Sequence, residues 1–317
     1  MDALMGESLS AWVPHSNPPF SPPFRGAPMF QLQFKLSVPV LALALALTSC
    51  SSGSDNDSQG TVGVPSPVTL EVTDAPFAHG IVESAELWVD LITIRGPGGF
   101  QTLHSGSMIH FDLATLRNGI TQELTTNLIQ PGEYDQIRLR VAEASLRLIN
   151  GDEFSTTAGN MHLTSTDTAG LKLNIDPPLQ IGDGVARTLL LDFDLTKTFK
   201  AVPGNDPLNA TFYQLLPVVK VSNLSQTGEF RGIVREDDGV GGLIGVGDVT
   251  VYVLQPGELD LGNAVHSTAT DFEGHYAVLG VDPGTYDLVA DLDGREAREN
   301  GRSVSAGSVT TVDFVLP

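Results

Sequence analysis

Asp192 and Asp194 stand two residues apart in a run whose Leu189, Leu191, Phe193 and Leu195 keep a period of two. On a strand, that spacing sets both carboxylates on one face, ~7 Å apart. Two like charges on one face invite a hard cation such as Ca²⁺, whose shell is built of oxygen. Arg187 and Lys197 could neutralise them equally well, so the pair stands as a weak calcium candidate. Asp271-Phe272-Glu273-Gly274 and Asp237-Asp238-Gly239 also have a calcium-loop composition. Neither runs on to the position-12 glutamate of an EF-hand, and Asp271 is expected to close an Asx turn. Trp88 falls out of phase with Ala85, Leu87, Val89 and Leu91, which sends it to the polar face of its strand. An indole placed there is a platform for a sugar or an anchor for a partner, or else cover for a second packed layer. It is the ligand-binding candidate.

Catalytic patterns are missing from the sequence. It holds no His-Glu-x-x-His, no Gly-x-Ser-x-Gly and no glycine loop running into a lysine. His79, His104, His110, His162, His266 and His275 form no i,i+4 ligand pair. No catalytic residue, cofactor or resident metal is expected, although distant carboxylates of the glycosidase kind leave no local motif. The net charge of −21 disfavours nucleic acid, because each phosphate contact needs a cation. It disfavours anionic headgroups for the same reason. Cys50 is the single cysteine, so no intrachain disulfide is available and packing must hold the fold.

The elements around Cys50 give it a role. Lys35 precedes the apolar run Leu36 to Leu47, which is shorter than the roughly 20 residues of a spanning helix and suits a secretory signal. Leu47-Thr48-Ser49-Cys50 closes that run and resembles the lipobox of bacterial lipoproteins. The resemblance implies cleavage before Cys50 and acylation there, typically with three chains of the palmitate kind. Residues 1–28, with Pro18-Pro19 and Pro22-Pro23, fit no signal and read as a non-native extension, with translation starting at Met29. Residues 29–49 are then the signal peptide. Residues 50–67 are a flexible tether, rich in Ser, Gly, Asp and Pro, with a reach of roughly 20–25 Å. Ser51 after the cysteine is expected to send the lipoprotein to the outer membrane of a Gram-negative cell.

From Val68 the pattern turns to strands. Val68-Leu70-Val72, Ala85-Leu87-Val89-Leu91, Ile137-Leu139-Val141, Leu171-Leu173-Ile175 and Leu189-Leu191-Phe193-Leu195 each alternate with other residues. Pro217 places the last run, Leu215 to Val221, at an edge or bulge. Asp112 to Asn118 has room for one or two helical turns before Gly119. Ser222 to Gly228 is a polar break, and a second block follows with strands at Phe230–Val234, Val249–Leu254, His275–Val278, Tyr286–Ala290 and Val309–Val315. Asp238-Gly239, Glu273-Gly274 and Asp293-Gly294 are turn pairs, and Pro283-Gly284 suggests a type II turn. The expected fold is all-β, with two antiparallel β-sandwich domains in tandem at 68–224 and 228–317. Pro131-Gly132-Glu133-Tyr134-Asp135 and Pro283-Gly284-Thr285-Tyr286-Asp287 echo each other, as tight turns whose strands open with an aromatic anchor.

Thr73-Asp74-Ala75-Pro76, Phe111-Asp112-Leu113, Pro131-Gly132-Glu133-Tyr134, Leu191-Asp192-Phe193-Asp194 and Leu216-Pro217-Val218-Val219 occur in order. This series resembles a bacterial lipoprotein family whose domain has no assigned function. The second block is similar to carboxypeptidase regulatory-like domains in Gly232-Ile233-Val234, Gly247-Asp248-Val249-Thr250-Val251, Thr270 to Tyr276 and Leu279 to Tyr286. That resemblance implies a transthyretin- or prealbumin-like sandwich used as a structural or adhesive spacer, in a fold group that also binds glycans. A longer, glycine-laden connection, Asp237 to Gly247, departs from the pattern. Lys–Asn isopeptide crosslinks of surface adhesins are excluded, because the last lysine, Lys220, precedes this block.

The expected protein is an extracytoplasmic, membrane-anchored lipoprotein without catalysis, serving as a binding, adhesion or scaffold module. Its partners would be the membrane, through the N-terminal lipid, and a glycan or a neighbouring surface protein. A carbohydrate-binding lipoprotein is the alternative, and a glycan-active enzyme the third class.

Overall fold

The computed structural model describes residues 63–75, 81–163, 170–182, 184–204, 206–216 and 218–317. Cys50, the 1–28 extension, the signal segment, most of the tether, Pro76, His79 and Pro217 lie outside the described residues. The first domain runs through β1 (Ser66–Ala75), β2 (Val82–Gly96), β3 (Gly99–Asp112), β4 (Gln122–Ile129), β5 (Gly132–Leu148), β6 (Glu153–Ser155) and β7 (Met161–Leu163). It continues with β8 (Leu171–Ile181), β9 (Arg187–Asp194), the single turn α1 (Leu195–Thr198), β10 (Phe199–Val202), β11 (Phe212–Leu215) and β12 (Val219–Asn223). One sheet has the order β12-β9-β1-β4, a second is β3-β2-β5-β6 with β8 also on β5, and a small third is β10-β11-β7. Val68, Leu70 and Val72 on β1, Leu189, Leu191 and Phe193 on β9, and Ile137 and Leu139 on β5 are fully buried in one cluster.

The second domain comprises β13 (Gly228–Asp237), β14 (Leu243–Gly245), β15 (Thr250–Leu254), β16 (His266–Ala269) and β17 (His275–Val281). Next come β18 (Gly284–Leu292), β19 (Arg295–Val304), β20 (Val309–Thr311) and β21 (Phe314–Val315). Its sheets are β14-β13-β17, with β20 and β21 on β13, and β16-β15-β18-β19. Phe230, Val251, Leu288 and Phe314 belong to a core cluster separate from that of the first domain. The chain is therefore two β-sandwiches in tandem, packed within one compact unit. Pairing is mostly antiparallel, but β1 lies parallel to β9, β7 to β11, and β13 to both β20 and β21.

Several expectations are corrected by packing. The alternation read as Ala85-Leu87-Val89-Leu91 breaks at a bulge between Val89 and Leu91, where β2 shifts register against both neighbours. The extra residue inverts the phase, so Ile92 and Ile94 are buried and Leu91 is only half-buried. The run Leu215 to Val221 is not one strand; β11 ends at Leu215, and β12 starts at Val219 as an edge strand of another sheet. Leu195 opens α1 rather than ending β9. Ser66 and Pro67, read as tether, already pair with Ile129 and Leu128. Leu113–Thr115 forms a short 3-10 turn capped by Asp112, within the segment expected to turn.

The turn pairs behave differently from one another. Asp293 and Gly294 both take positive φ, 53° and 85°, in the two-residue hairpin loop between β18 and β19, as a primed turn requires. Gly284 does not, so the type II turn expected at Pro283-Gly284 is absent and Gly284 opens β18 in extended form. What the two echoing segments share is a tyrosine corner. Tyr134 Oη donates to the Gln130 carbonyl at 2.8 Å and Tyr286 Oη to the Asp282 carbonyl at 3.0 Å, each four residues upstream.

Candidate functional site

The outer face of β9 and β12 meets the outer face of β15 and β16, and the seam encloses a cleft of about 380 Å³. Period two decides what lines it. Leu191, Phe193 and Val221 turn into the first core, which leaves Asp192 and Lys220, directly paired across β9 and β12, on the seam side. Val251 and Val253 likewise fill the second core, so Thr250 and Tyr252 face the cleft. Burial raises the Tyr252 phenol, helped by the negative charge of Asp291, so it stays a neutral donor.

Four charged or polar groups form a chain across the seam. His266 on β16 is 1% exposed at its side chain and contacts Asp192 Oδ2 through Nδ1 at 3.2 Å. A carboxylate only accepts, so Nδ1 carries the proton in this arrangement. Nε2 then accepts from Lys220 Nζ at 2.8 Å, and the same ammonium donates to Asp282 Oδ2 at 3.1 Å. Asp192 and Lys220 come from the first domain, His266 and Asp282 from the second. Beside this chain, Ser222 Oγ donates to the Gly280 carbonyl at 3.1 Å in a buried contact. Leu190, on the face of β9 opposite Leu189 and Leu191, is fully buried close to Gly280. At another part of the seam, Asn118 N donates to Thr268 Oγ1 at 3.1 Å and Arg117 pairs with Asp248 at 3.0 Å.

Two family models match the chain. Residues 66–211 match a domain of unknown function (DUF4382), and residues 229–317 match the carboxypeptidase regulatory-like domain. The chain carries these two domains in that order. None of the curated proteins matches it. Among solved structures, it is similar to a candidate carbohydrate-binding protein from Pseudomonas aeruginosa, at 16% identity and a TM-score of 0.22. That match covers 30% of this chain and 91% of the other. The minor pilin GBS52 of Streptococcus agalactiae matches at 9% identity and a TM-score of 0.23, over 78% of this chain and 94% of that one. The shaft pilin SpaA of Lactobacillus rhamnosus GG gives 9%, 0.20, 80% and 97% for the same quantities. Similarity at this level speaks to neither ligand nor partner.

The cleft thus lies between the DUF4382 domain and the regulatory-like domain. Asp192 falls within the first matched stretch, His266 within the second, and Lys220 between them. Asp192 and Asp194 both line the cleft, yet each has its own partner. Asp194 caps α1, accepting from Lys197 N at 3.1 Å and pairing with Lys197 Nζ at 2.8 Å, while Asp192 is held by His266. Among the described residues, no group of three or more His, Cys, Asp or Glu is arranged to hold a metal ion. Nor is any helix among them long and apolar enough to cross a membrane. Asp271 Oδ1 accepts from the Glu273 and His275 amides, which is turn closure. Asp238 Oδ1 does the same for Val240 and Gly242, and those amides hold its carboxyl below the usual range.

Trp88 lies elsewhere. It is half-buried on β2 of the DUF4382 domain and stacks on His110 of β3, with ring centroids 4.7 Å apart and planes at 27°. Glu86 approaches His110 at 3.5 Å, so the stack has a carboxylate at its side. It lines no part of the cleft. His266, Lys220 and Tyr252 were not singled out by sequence reasoning. Their only local signal was polarity at outward positions of strands, which ordinarily means solvent.

Proposed function

We propose that the protein is a membrane-anchored, non-catalytic binding or adhesion module whose ligand sits in the cleft between the two domains. The state of His266 carries this reading. Both of its ring nitrogens are committed, one to Asp192 and one to Lys220, so the imidazole is not available as a base. None of the hydroxyls of Thr196, Thr250 or Ser267 is hydrogen-bonded to the imidazole, so no nucleophile is activated there. What remains is a half-enclosed space with donors and acceptors around it and apolar patches from Val218, Leu261 and Val265.

A carbohydrate is the more specific form of this reading. Tyr252 offers an aromatic surface, and the alternation of carboxylates, ammonium groups and hydroxyls suits the hydroxyls of a neutral sugar. The regulatory-like match supports a binding rather than a metabolic role. Anchoring rests on Lys35 to Cys50 in the sequence: acylated Cys50 would hold the chain on a membrane, the outer one in a Gram-negative cell. A glycan array probed with the mature chain, with Tyr252→Ala and Lys220→Met beside it, tests the ligand. Binding of neutral oligosaccharides that both variants lose is the expected result; no binding, or turnover of a bound glycan, overturns it. For the anchor, Cys50→Ala should leave the membrane pellet on fractionation, and retention there would refute it.

A further inference from the structure

The regulatory-like domain has five arginines and no lysine against sixteen carboxylates, so where its arginines gather is informative. Arg231 and Arg235 sit four residues apart on β13, on the same face as Ile233 between them. They line a second groove of about 480 Å³ together with His275 and Asp313. The Asn118-Gly119 turn of the DUF4382 domain closes one side, with both residues at positive φ, 61° and 71°. Gly119 lies so close to Ala277 that a Cβ there would come within 2.8 Å of the alanine methyl, which fixes this wall against the sheet. The groove shares no residue with the first cleft.

Its cations are unequally satisfied. Arg231 Nε is bonded to Glu229. Arg235 is only 35% exposed at its side chain, and its nearest carboxylate, Asp313 Oδ2, stands 3.7 Å away, beyond hydrogen-bond distance. Asp313 spends its other oxygen on the Ile233 amide at 3.0 Å. Among the described residues, no group accepts a hydrogen bond from the Arg235 guanidinium. His275 Nδ1 is similarly held at arm's length, 3.6 Å from Asp271 and 3.7 Å from Glu273.

We propose that this groove binds a sugar bearing a single carboxylate, of the uronic acid class, with Arg235 as its anchor. A planar guanidinium with free donors matches a carboxylate through two parallel hydrogen bonds. Asp313, the carboxylate in the lining, accepts from hydroxyls and repels any ligand with several adjacent negative charges, which selects against an acidic peptide. The volume holds one or two sugar rings rather than a bare anion. The inference extends the glycan reading above to a site of its own.

Galacturonic acid, galactose and a tri-glutamate peptide, each titrated into the ¹⁵N-labelled mature chain, test it. Galacturonic acid should shift the amides of Ile233, Arg235 and Ala277, and galactose should not. Arg235→Gln should weaken that binding by about tenfold or more, the loss expected for charge-assisted hydrogen bonds. Arg235→Lys, which keeps the charge but not the fork, should fall between, and well-dispersed spectra of both variants would show them folded. Lys220→Met, in the first cleft, should leave galacturonic acid binding unchanged, so a failure of the first-cleft reading does not touch this one. Equal binding of galactose, tighter binding of tri-glutamate, indifference to Arg235→Gln, or loss in Lys220→Met would each overturn the proposal.

Discussion

Removing the Asp192 carboxylate should destabilise the seam by an amount that the geometry sets. In Asp192→Ala, the His266 Nδ1–H loses its acceptor in a place where the ring is 1% and Asp192 13% exposed at the side chain. An unpaired buried donor costs ~1–3 kcal/mol. Because Asp192 borders the open cleft, water can enter the space the side chain leaves, which holds the cost to the lower half, ~1–2 kcal/mol. In a chain of this size each kcal/mol moves the melting temperature by roughly 2–4 °C, so the expected drop is roughly 2–8 °C. Asp192→Asn retains an acceptor oxygen and should fall by about half as much, losing charge assistance but not the contact. The assay is scanning calorimetry of the mature chain at neutral pH. Glu296→Ala is the control, an exposed carboxylate on β19 that removes the same charge. Equal shifts in Asp192→Ala and Glu296→Ala would refute the argument, since the effect would then be one of net charge alone.

Three further outcomes follow from named contacts. A fragment spanning Thr227 to Pro317 has its own core and should melt cooperatively as a sheet, but below the intact chain, because His266 loses both partners and the Gly280 carbonyl its donor; an unfolded fragment would refute it. Tyr134→Phe and Tyr286→Phe should each cost ~1 kcal/mol by urea melts, with Tyr134 the larger because its ring is fully buried, and the reverse order would count against the corner as a stabiliser. Asp287 accepts from the Gly257 and Gly301 amides, both at 2.8 Å, and these hold its carboxyl below the ordinary range. Its contribution is therefore full above the unfolded value near ~3.9 and is lost as pH falls through the lower folded value. The melting gap between wild type and Asp287→Asn should close on acidification below about pH 4, and a gap constant with pH would refute this.

How far the sequence reached is clearest on β9. Its period of two announced a strand with Leu189, Leu191 and Phe193 inward, because alternation is a local consequence of the pleat and survives in any sheet that covers one face. The same reasoning found β1 and β8, whereas β13, β15 and β18 were legible as strand-like runs between turn pairs, β18 being buried at every position from Tyr286 to Ala290. It passed over β3 and β19, which lie at sheet edges and carry few buried side chains, so their sequences show no apolar period. Turn pairs were legible where a positive φ was needed, as at Asp293-Gly294, and misleading at Pro283-Gly284, where the strand begins directly.

The carboxylates of Asp192 and Asp194 were placed correctly on one face by counting residues, but their partners were not in the count. Which group meets Asp192 depends on His266, 74 positions away on another domain, and on the packing that turns two polar strand faces toward each other. Leu190 makes the same point, since an outward leucine is buried only because a second sandwich covers it. The sequence by itself determined the strand class, the two cores and the acidity, all of which are set by neighbours along the chain. The clefts, the shared histidine and the loosely paired guanidinium of Arg235 belong to the tertiary structure, because long-range pairing and the seam between domains leave no periodic trace in the residues that make them.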